Sequence, residues 1–182
     1  MKKVLVPLAS GFEELEAVTI IDLLRRAGID VTVAGLDDGA ITGSRGTRIL
    51  PDSKLESTVN SDYDMIVLPG GLPGADNLNN DSRIHELLQQ MASGGRYIAA
   101  ICAAPKVLAT AGLLDNKEMT SYPGSLSKVA VEGMQNTGKA VVIDGNVITS
   151  RGPGTAMDFS LQLIQLLAGD EVRKQVEDGL QR

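Results

Sequence analysis

The sequence predicts an α/β domain in which a mostly parallel sheet is covered by helices on both faces. Short apolar runs typical of buried strands alternate with longer runs whose apolar spacing is typical of helices. Repeated β-α-β units imply a parallel sheet, because a crossover between parallel strands packs its helix back onto the sheet. The chain has 182 residues, enough for a full core, so we expect one domain over 1–182.

The first half of the chain begins with an apolar strand over 3–8. A helix over 14–27 follows, with a Glu-rich first turn and Gly28 directly after its last residue. The next apolar runs, 30–35 and 65–68, are too short for helices and are predicted strands. A turn rich in glycine and proline follows the second of these strands.

The second half of the chain continues the alternation of strands and helices. Apolar residues at i, i+3, i+4 and i+7 predict a helix over 82–92. Asp144 and Gly145 form a strong hairpin signal between two apolar runs. The remaining predicted elements are a strand at 97–101, a helix at 106–111, the hairpin at 141–149, a long helix at about 154–167 and a short one from 170.

The only cysteine, Cys102, follows the predicted strand 97–101 with no spacer, and Pro105 opens a helix directly after it. A nucleophile on so sharp a turn needs small neighbours, here Ala100 and Ala104. The helix N-terminus is expected to lower the pKa of the thiol below that of free cysteine. A lone cysteine is equally typical of a small buried apolar residue, and the residues alone leave both interpretations open.

Two glutamates and one histidine are candidates for the base that a cysteine nucleophile needs. Glu13 and Glu16 both precede an apolar stripe of the first helix, and a buried carboxyl has a raised pKa and can stay protonated. Periodicity does not choose between them, and an acidic first turn also complements the helix dipole. His85 flanks the apolar stripe of its own helix, so we expect it at the surface and expect no Cys–His dyad.

Glycines in two predicted loops offer backbone N–H groups to a ligand. Gly70 and Gly71 follow a buried strand and, with the N–H of Ala103, could form an oxyanion hole; a tight turn explains the same pair. The segment 152–155 opens the last long helix and could hold an anion, although it lacks the ending of a P-loop. Ligands gather at the carboxyl ends of parallel strands, so we expect the loops 9–11 and 69–71 to converge with Cys102 at that edge of the sheet.

Composition excludes several classes of protein. The net charge is −6 without a basic cluster, so we expect no nucleic-acid partner. One cysteine cannot form an internal disulfide. No apolar run approaches the ~20 residues of a membrane span, and the apolar start of the chain is better interpreted as a strand than as a leader. We expect a cytoplasmic protein.

Four motifs stand in order along the chain: Gly11-Phe12-Glu13-Glu14-Leu15-Glu16, Leu68-Pro69-Gly70-Gly71, Ala99-Ala100-Ile101-Cys102-Ala103-Ala104-Pro105 and Thr149-Ser150-Arg151-Gly152-Pro153-Gly154-Thr155. Together they resemble the ThiJ/PfpI superfamily, in particular its branch of Parkinson-disease-type deglycases and bacterial YajL-like proteins. The resemblance implies a flavodoxin-like three-layer α/β/α sandwich related to class I glutamine amidotransferases. It also implies a homodimer.

The resemblance further implies cysteine-dependent detoxification of reactive carbonyls, either as a glutathione-independent glyoxalase that converts methylglyoxal to lactate or as a deglycase, with no metal or organic cofactor. In that reading Cys102 is the nucleophile, and the motif places its protonated partner at Glu16 rather than Glu13. The N–H groups of Gly71 and Ala103 hold the oxyanion. Further candidates for substrate or anion binding are Gly70, Arg45, Tyr122 and Arg151. The alternative is a non-catalytic redox-sensing chaperone whose Cys102 oxidises to sulfinate.

The chain departs from the family pattern at four positions. Ala103 stands where the protease-like branch has histidine, so we expect no peptidase activity. Tyr122 stands where human-type deglycases have histidine, and a tyrosine can donate a hydrogen bond but is no general base near neutral pH. Gly43 and Leu50 replace the secondary cysteines, which leaves redox chemistry to Cys102.

The first predicted helix is apolar on two sides. Leu15, Val18 and Ile21 cover one side, opposite a second stripe made by Ile20, Leu23, Leu24 and Ala27. A helix on the outside of one sheet needs a single apolar face. The second face therefore predicts a homodimer whose interface includes this helix, since two-fold pairing is the commonest assembly.

Overall fold

The computed structural model describes residues 1–181, and its elements alternate between strand and helix as predicted. The strands are β1 (Lys3–Leu8), β2 (Asp30–Gly35), β3 (Ile41–Thr42), β4 (Arg48–Ile49), β5 (Ser53–Lys54), β6 (Met65–Leu68), β7 (Tyr97–Ile101), β8 (Glu118–Met119), β9 (Gln135–Asn136), β10 (Val141–Asp144) and β11 (Val147–Ser150). The helices are α1 (Glu14–Arg26), α2 (Gly74–Asn79), α3 (Ser82–Ser93), α4 (Pro105–Thr110), α5 (Ala156–Ala168) and α6 (Asp170–Gly179). Short 3-10 turns lie at Leu55–Ser57 and Pro153–Thr155.

A seven-stranded sheet has the order β10-β11-β7-β6-β1-β2-β5. All neighbouring strands run parallel except the β10–β11 hairpin. The prediction of a mostly parallel sheet is therefore confirmed. Because β1, β6 and β7 are adjacent, their carboxyl ends at Leu8, Leu68 and Ile101 lie side by side, and the loops that follow them meet at one edge of the sheet.

Helices cover both faces of the sheet and complete the predicted three-layer sandwich. Alternate residues along each strand face opposite layers: Val4 and Val67 join the core formed with α1 and α5, whereas Leu5, Ile66 and Ile98 join the core formed with α3 and α4. Full burial of both sets explains why these strands are continuous apolar runs rather than alternating ones.

Several small features differ from the prediction. The β3–β4 hairpin, in which Ile41 pairs with Ile49, and the β8–β9 pair were not predicted, because two-residue strands have no periodicity to detect. Helix α2 begins at Gly74, where only a turn was expected. The 3-10 turn at Pro153–Thr155 delays α5 until Ala156, whereas the sequence suggested a start near 154.

The helices are short as well as amphipathic. The longest, α1 and α5, have 13 residues each, against the ~20 that a bilayer requires. Within residues 1–181, no helix has the length and apolar character needed to cross a membrane.

Candidate active site

Cys102 forms the sharp turn between β7 and α4. Its φ is +65°, in the left-handed region that residues other than glycine rarely adopt. Neighbouring backbone fixes this conformation: the Cys102 N–H donates to the Ser150 carbonyl at 2.9 Å, and the Tyr122 N–H donates to the Cys102 carbonyl at 2.8 Å. Strain of this kind persists only where the surroundings enforce it, and it is common at functional sites. The predicted strand-to-helix turn is confirmed, and the side chain is 8% exposed.

Glu16 lies beside the cysteine on the inner face of α1 and is fully buried. Its Oε2 accepts a hydrogen bond from the Gly70 N–H at 2.8 Å, and its carboxyl lies beside the Cys102 thiol and interacts with it. Glu13 is only half-buried and accepts a long hydrogen bond from Ser44 Oγ at 3.3 Å. The structure therefore pairs Cys102 with Glu16, the choice that periodicity left open.

Both partners of this pair have raised pKa values. Burial raises the pKa of Glu16 from 4.5 to about 7, although the hydrogen bonds from Cys102 and from the Gly70 N–H act in the opposite direction. Burial, followed by the negative charge of Glu16, raises the pKa of the Cys102 thiol to about 12, and the N–H groups of Gly71 and Ala103 offset only part of this rise.

The sequence predicted a thiol pKa below that of free cysteine. When Glu16 is ionised, this prediction is wrong. Helix α4 has only six residues, so its dipole is weak, and it cannot overcome desolvation of the sulfur. Cys102 becomes nucleophilic by passing its proton to Glu16. In that form the Gly71 and Ala103 N–H groups stabilise the negative charge on the sulfur.

Two glycines make this close arrangement sterically feasible. A Cβ on Gly70 would lie 2.7 Å from the Cys102 Cβ and 2.8 Å from Glu16 Oε2, so any side chain there would separate the pair. Gly71 has φ of +91°, and a Cβ on it would lie 2.4 Å from the backbone nitrogen of Glu13. Because the Gly70 N–H already binds Glu16, the N–H groups that face the sulfur are those of Gly71 and Ala103.

A cavity of about 490 Å³ opens above Cys102. The residues that line it include Glu13, Arg45, Tyr122, Gly71 and Ala103. The loop after β6 and the turn after β7 thus meet at this cavity, as predicted. The β3–β4 loop brings Arg45 to the cavity because the Arg45 and Thr47 N–H groups donate to Glu14 Oε1 at 2.7 and 3.1 Å. Nothing in the sequence pattern indicated these hydrogen bonds to Glu14.

Arg151 does not line the Cys102 cavity. Its Nη1 donates to the Gly138 carbonyl at 3.0 Å, and it lines a neighbouring cavity of about 300 Å³ together with Tyr122. Within the part of the chain that the structure describes, no group of three or more histidine, cysteine, aspartate or glutamate side chains is placed to hold a metal ion.

His85 is half-buried rather than exposed on its helix flank. Its Nε2 lies 2.8 Å from the carbonyl oxygen of Asn79, so it caps the last residue of α2. The contact was not predicted from the sequence, because the residues of α2 show no helical periodicity. His85 does not line the cavity above Cys102.

We predict that His85→Ala leaves turnover within twofold of the wild type and lowers the free energy of unfolding by about 1 kcal/mol, because the Asn79 carbonyl loses its donor. Initial rates and urea unfolding measure the two effects. His85→Gln, which can keep a donor, is the control and should lose less stability. A tenfold loss of kcat in His85→Ala would contradict this assignment.

Comparison with known proteins supports the motif-based resemblance. Residues 2–166 match the DJ-1/PfpI family. The Drosophila melanogaster protein dj-1beta is 48% identical over 180 residues, which cover 98% of this chain and 96% of that protein. Its crystal structure matches with a TM-score of 0.92 at 47% identity and covers 98% of this chain and 97% of that one.

Two further relatives are similar to this chain over most of its length. The structure of oxidized Toxoplasma gondii DJ-1 matches with a TM-score of 0.93 at 37% identity and covers 99% of this chain and 98% of that chain. A Caenorhabditis elegans protein named glutathione-independent glyoxalase DJR-1.2 is 37% identical over 159 residues, 87% of this chain and 84% of that protein. Sequence and structure alike show that the chain belongs to the DJ-1/PfpI family.

Proposed function

We propose that this chain is a cysteine-dependent enzyme that detoxifies reactive carbonyls, acting as a glutathione-independent glyoxalase that converts methylglyoxal to lactate. The observation that carries the proposal is the buried Glu16 carboxyl beside the Cys102 thiol, beneath an open cavity. The name of the Caenorhabditis elegans relative supports it. The same adduct chemistry extends to a deglycase acting on glycated thiols or amines of proteins and nucleotides. No metal or organic cofactor takes part.

The first step joins the thiol to the aldehyde. Cys102 passes its proton to ionised Glu16 as its sulfur attacks the aldehyde carbon of methylglyoxal. The carbonyl oxygen gains negative charge, which the N–H groups of Gly71 and Ala103 stabilise. Glu16 then returns the proton to that oxygen, and the product is a neutral hemithioacetal.

The second step moves hydrogen within the adduct. Glu16, again ionised, removes the proton from the former aldehyde carbon and delivers it to the neighbouring carbonyl carbon through an enediol. During this transfer the hydroxyl proton of the hemithioacetal passes to the oxygen of that neighbouring carbon, so the ketone becomes a hydroxyl and the former aldehyde carbon becomes the thioester carbonyl. One carbon is oxidised and its neighbour is reduced, so no external oxidant is needed. The product is a lactoyl thioester on Cys102, which water hydrolyses to lactate and free thiol. Methylglyoxal and one water thus yield lactic acid.

The other candidate residues receive supporting roles in this proposal. Gly70 positions Glu16 through its N–H, and Arg45 and Tyr122 contact the substrate in the cavity. Arg151 serves an anionic group that extends into the neighbouring cavity. Ala103 contributes its N–H but no histidine, so we propose no peptidase activity.

Lactate formation from excess methylglyoxal without glutathione tests the proposal. Many equivalents of lactate per chain are expected. Consumption that stops at one equivalent per Cys102 would refute an enzyme and would support a stoichiometric thiol reaction.

We predict that the rate of turnover rises with pH through a midpoint of about 7. The proton leaves Cys102 for Glu16 only after Glu16 has ionised, and burial sets its pKa at about 7. A pH profile of kcat/KM for methylglyoxal measures the midpoint. Glu16→Gln should lose this limb, and a limb that persists in Glu16→Gln would assign it to another group.

A non-catalytic redox sensor is the second candidate function. Cys102 is 8% exposed at the floor of a cavity that admits peroxide, and a protonated Glu16 could donate a hydrogen bond to a sulfinate. The oxidized state of the Toxoplasma gondii relative supports this alternative. In it the protein protects clients as a chaperone during oxidative stress.

We further propose that the chain forms a homodimer, with one domain over 1–182 in each subunit. We also propose that it acts in the cytoplasm, where reducing conditions keep the thiol of Cys102 active. The support is an exposed apolar surface on α1 and the segment after β4. Leu15, Val18 and Leu50 are 53%, 47% and 76% exposed, and Ile21 and Ile49 beside them are half-buried. Contiguous apolar surface of this kind indicates a partner.

We predict that sedimentation equilibrium at micromolar concentration gives about twice the 19.1 kDa chain mass. Val18→Asp should shift the mass toward the monomer and lower activity, because α1 also carries Glu16. Ile143→Asp, on an exposed apolar residue of the hairpin strand β10, is the matched control and should leave the dimer intact. A fully active wild-type monomer would contradict the dimer and its role.

A further inference from the structure

Tyr122 forms a wall between the two cavities at the active-site edge of the sheet. Its ring lines both the cavity of about 490 Å³ above Cys102 and the neighbouring one of about 300 Å³. Its backbone N–H donates to the Cys102 carbonyl at 2.8 Å, which ties the position of the residue to the nucleophile. The backbone of Tyr122 is therefore held beside the Cys102 turn, and its side chain starts from a fixed point at the cavity.

Gly152 lies beside the Cδ2–Cε2 side of this ring. A Cβ on Gly152 would lie 3.3 Å from Cδ2 and 3.9 Å from Cε2 of Tyr122, so the ring packs closely over the glycine. The residue is nevertheless 52% exposed, and within residues 1–181 its hydroxyl makes no hydrogen bond that would explain its position. One side of the ring is thus in contact with the protein, and the rest is open to a ligand.

Other apolar groups surround the nucleophile at the same level. Leu72 is 60% exposed at the rim of the Cys102 cavity, and Pro123 and Pro153 line both cavities. Leu72, Tyr122, Pro123 and Pro153 are called the apolar collar below. Methylglyoxal has three carbons and fills only a small part of about 490 Å³, so it would leave the apolar collar in contact with water.

We propose that Tyr122 is a specificity-determining residue that selects α-oxoaldehydes with a flat apolar substituent, which packs against its ring while the aldehyde carbon meets Cys102. This inference rests on the proposed glyoxalase function and adds its substrate class. Stacked or edge-to-face aromatic pairs strengthen binding beyond the area they bury, and a tenfold preference is the expected size.

Phenylglyoxal is the probe, because it replaces the methyl group of methylglyoxal by a phenyl ring. The thiol adds to its aldehyde, the proton on that carbon moves to the neighbouring carbonyl carbon, and water hydrolyses the thioester. Phenylglyoxal and one water give mandelic acid, which balances as the methylglyoxal reaction does.

The test measures kcat/KM for both substrates in the wild type, Tyr122→Phe and Tyr122→Ala. The wild type should prefer phenylglyoxal about tenfold over methylglyoxal. Tyr122→Phe keeps the ring and should keep the preference, whereas Tyr122→Ala should lower the ratio of the two constants about tenfold, mainly through KM for phenylglyoxal. The ratio is informative because a general disturbance of the Cys102 turn would lower both constants together.

Each remaining outcome overturns the inference. An equal loss for both substrates in Tyr122→Ala would mean that the residue only supports the Cys102 backbone. An unchanged ratio, or no preference in the wild type, would show that the ring does not contact the substituent, with the glyoxalase function intact. If the wild type turns over neither substrate, the proposed function and the inference both fail.

Discussion

Replacing Cys102 by serine is expected to lower kcat for lactate formation by at least about 10³-fold, because removing the nucleophile of a covalent mechanism abolishes the pathway rather than slowing one step. A hydroxyl is far less acidic than a thiol, and Glu16, with a pKa of about 7, is too weak a base to activate it. The measurement is lactate formed from excess methylglyoxal, without glutathione.

The same variant must be shown to be folded. Serine fits the space of the thiol and makes the same backbone hydrogen bonds to Ser150 and Tyr122, so its thermal midpoint should stay within a few degrees of the wild type. His85→Ala, outside the cavity, serves as a turnover control. Residual activity above about one per cent in Cys102→Ser would remove Cys102 from the role of nucleophile.

Stoichiometry separates the two candidate functions of Cys102. An enzyme forms many lactates per chain, and brief treatment with peroxide should inhibit it by oxidising the thiol that Glu16 contacts. A sensor consumes peroxide once per chain and forms no lactate. Both assays lose their signal in Cys102→Ser, so only the wild-type stoichiometry decides between the functions.

Local sequence signals were sufficient to predict the parts of the site that depend on where a strand ends and the next helix begins. The buried strand Tyr97–Ile101, Cys102 directly after it and Pro105 at the helix start all lie within nine residues, so the turn could be predicted without tertiary information. The β-α-β alternation predicted a mostly parallel sheet, whose strands bring the loops after their carboxyl ends to one edge, but it did not predict that β1, β6 and β7 are adjacent.

Features that depend on contacts between distant segments could not be predicted from the residues. Glu13 and Glu16 have equivalent periodicity, and only the packing of α1 against the Gly70 loop separates them; the motif resemblance, not the pattern, chose correctly. The thiol pKa was predicted in the wrong direction, because the depth of burial of Cys102 is a property of the folded core. Arg45 reaches the cavity through a hairpin whose strands are too short to detect.

The second large effect is the decrease in the free energy of unfolding that results from burying Glu16 beside Cys102. The pKa of Glu16 is 4.5 in an unfolded chain and about 7 in the native state. Between these two values the native state keeps a proton that the unfolded state has lost, so stability falls as pH rises. The loss is fully absent below pH 4.5, is complete above pH 7 and amounts to about 3 kcal/mol.

Glu16→Gln is therefore expected to be more stable than the wild type by about 3 kcal/mol at pH 8 and about equally stable at pH 4.5, while its turnover falls at least 100-fold. The amide oxygen can accept the Gly70 N–H and the amide nitrogen can donate to the sulfur, so both hydrogen bonds survive without a buried charge. Urea unfolding at the two pH values measures the change, with Glu13→Gln at the half-buried cavity wall as the matched control.

A wild type whose stability does not fall between pH 4.5 and 7 would show that Glu16 ionises freely in the native state. The burial of Glu16 would then not be what holds the proton that this residue transfers in the proposed reaction.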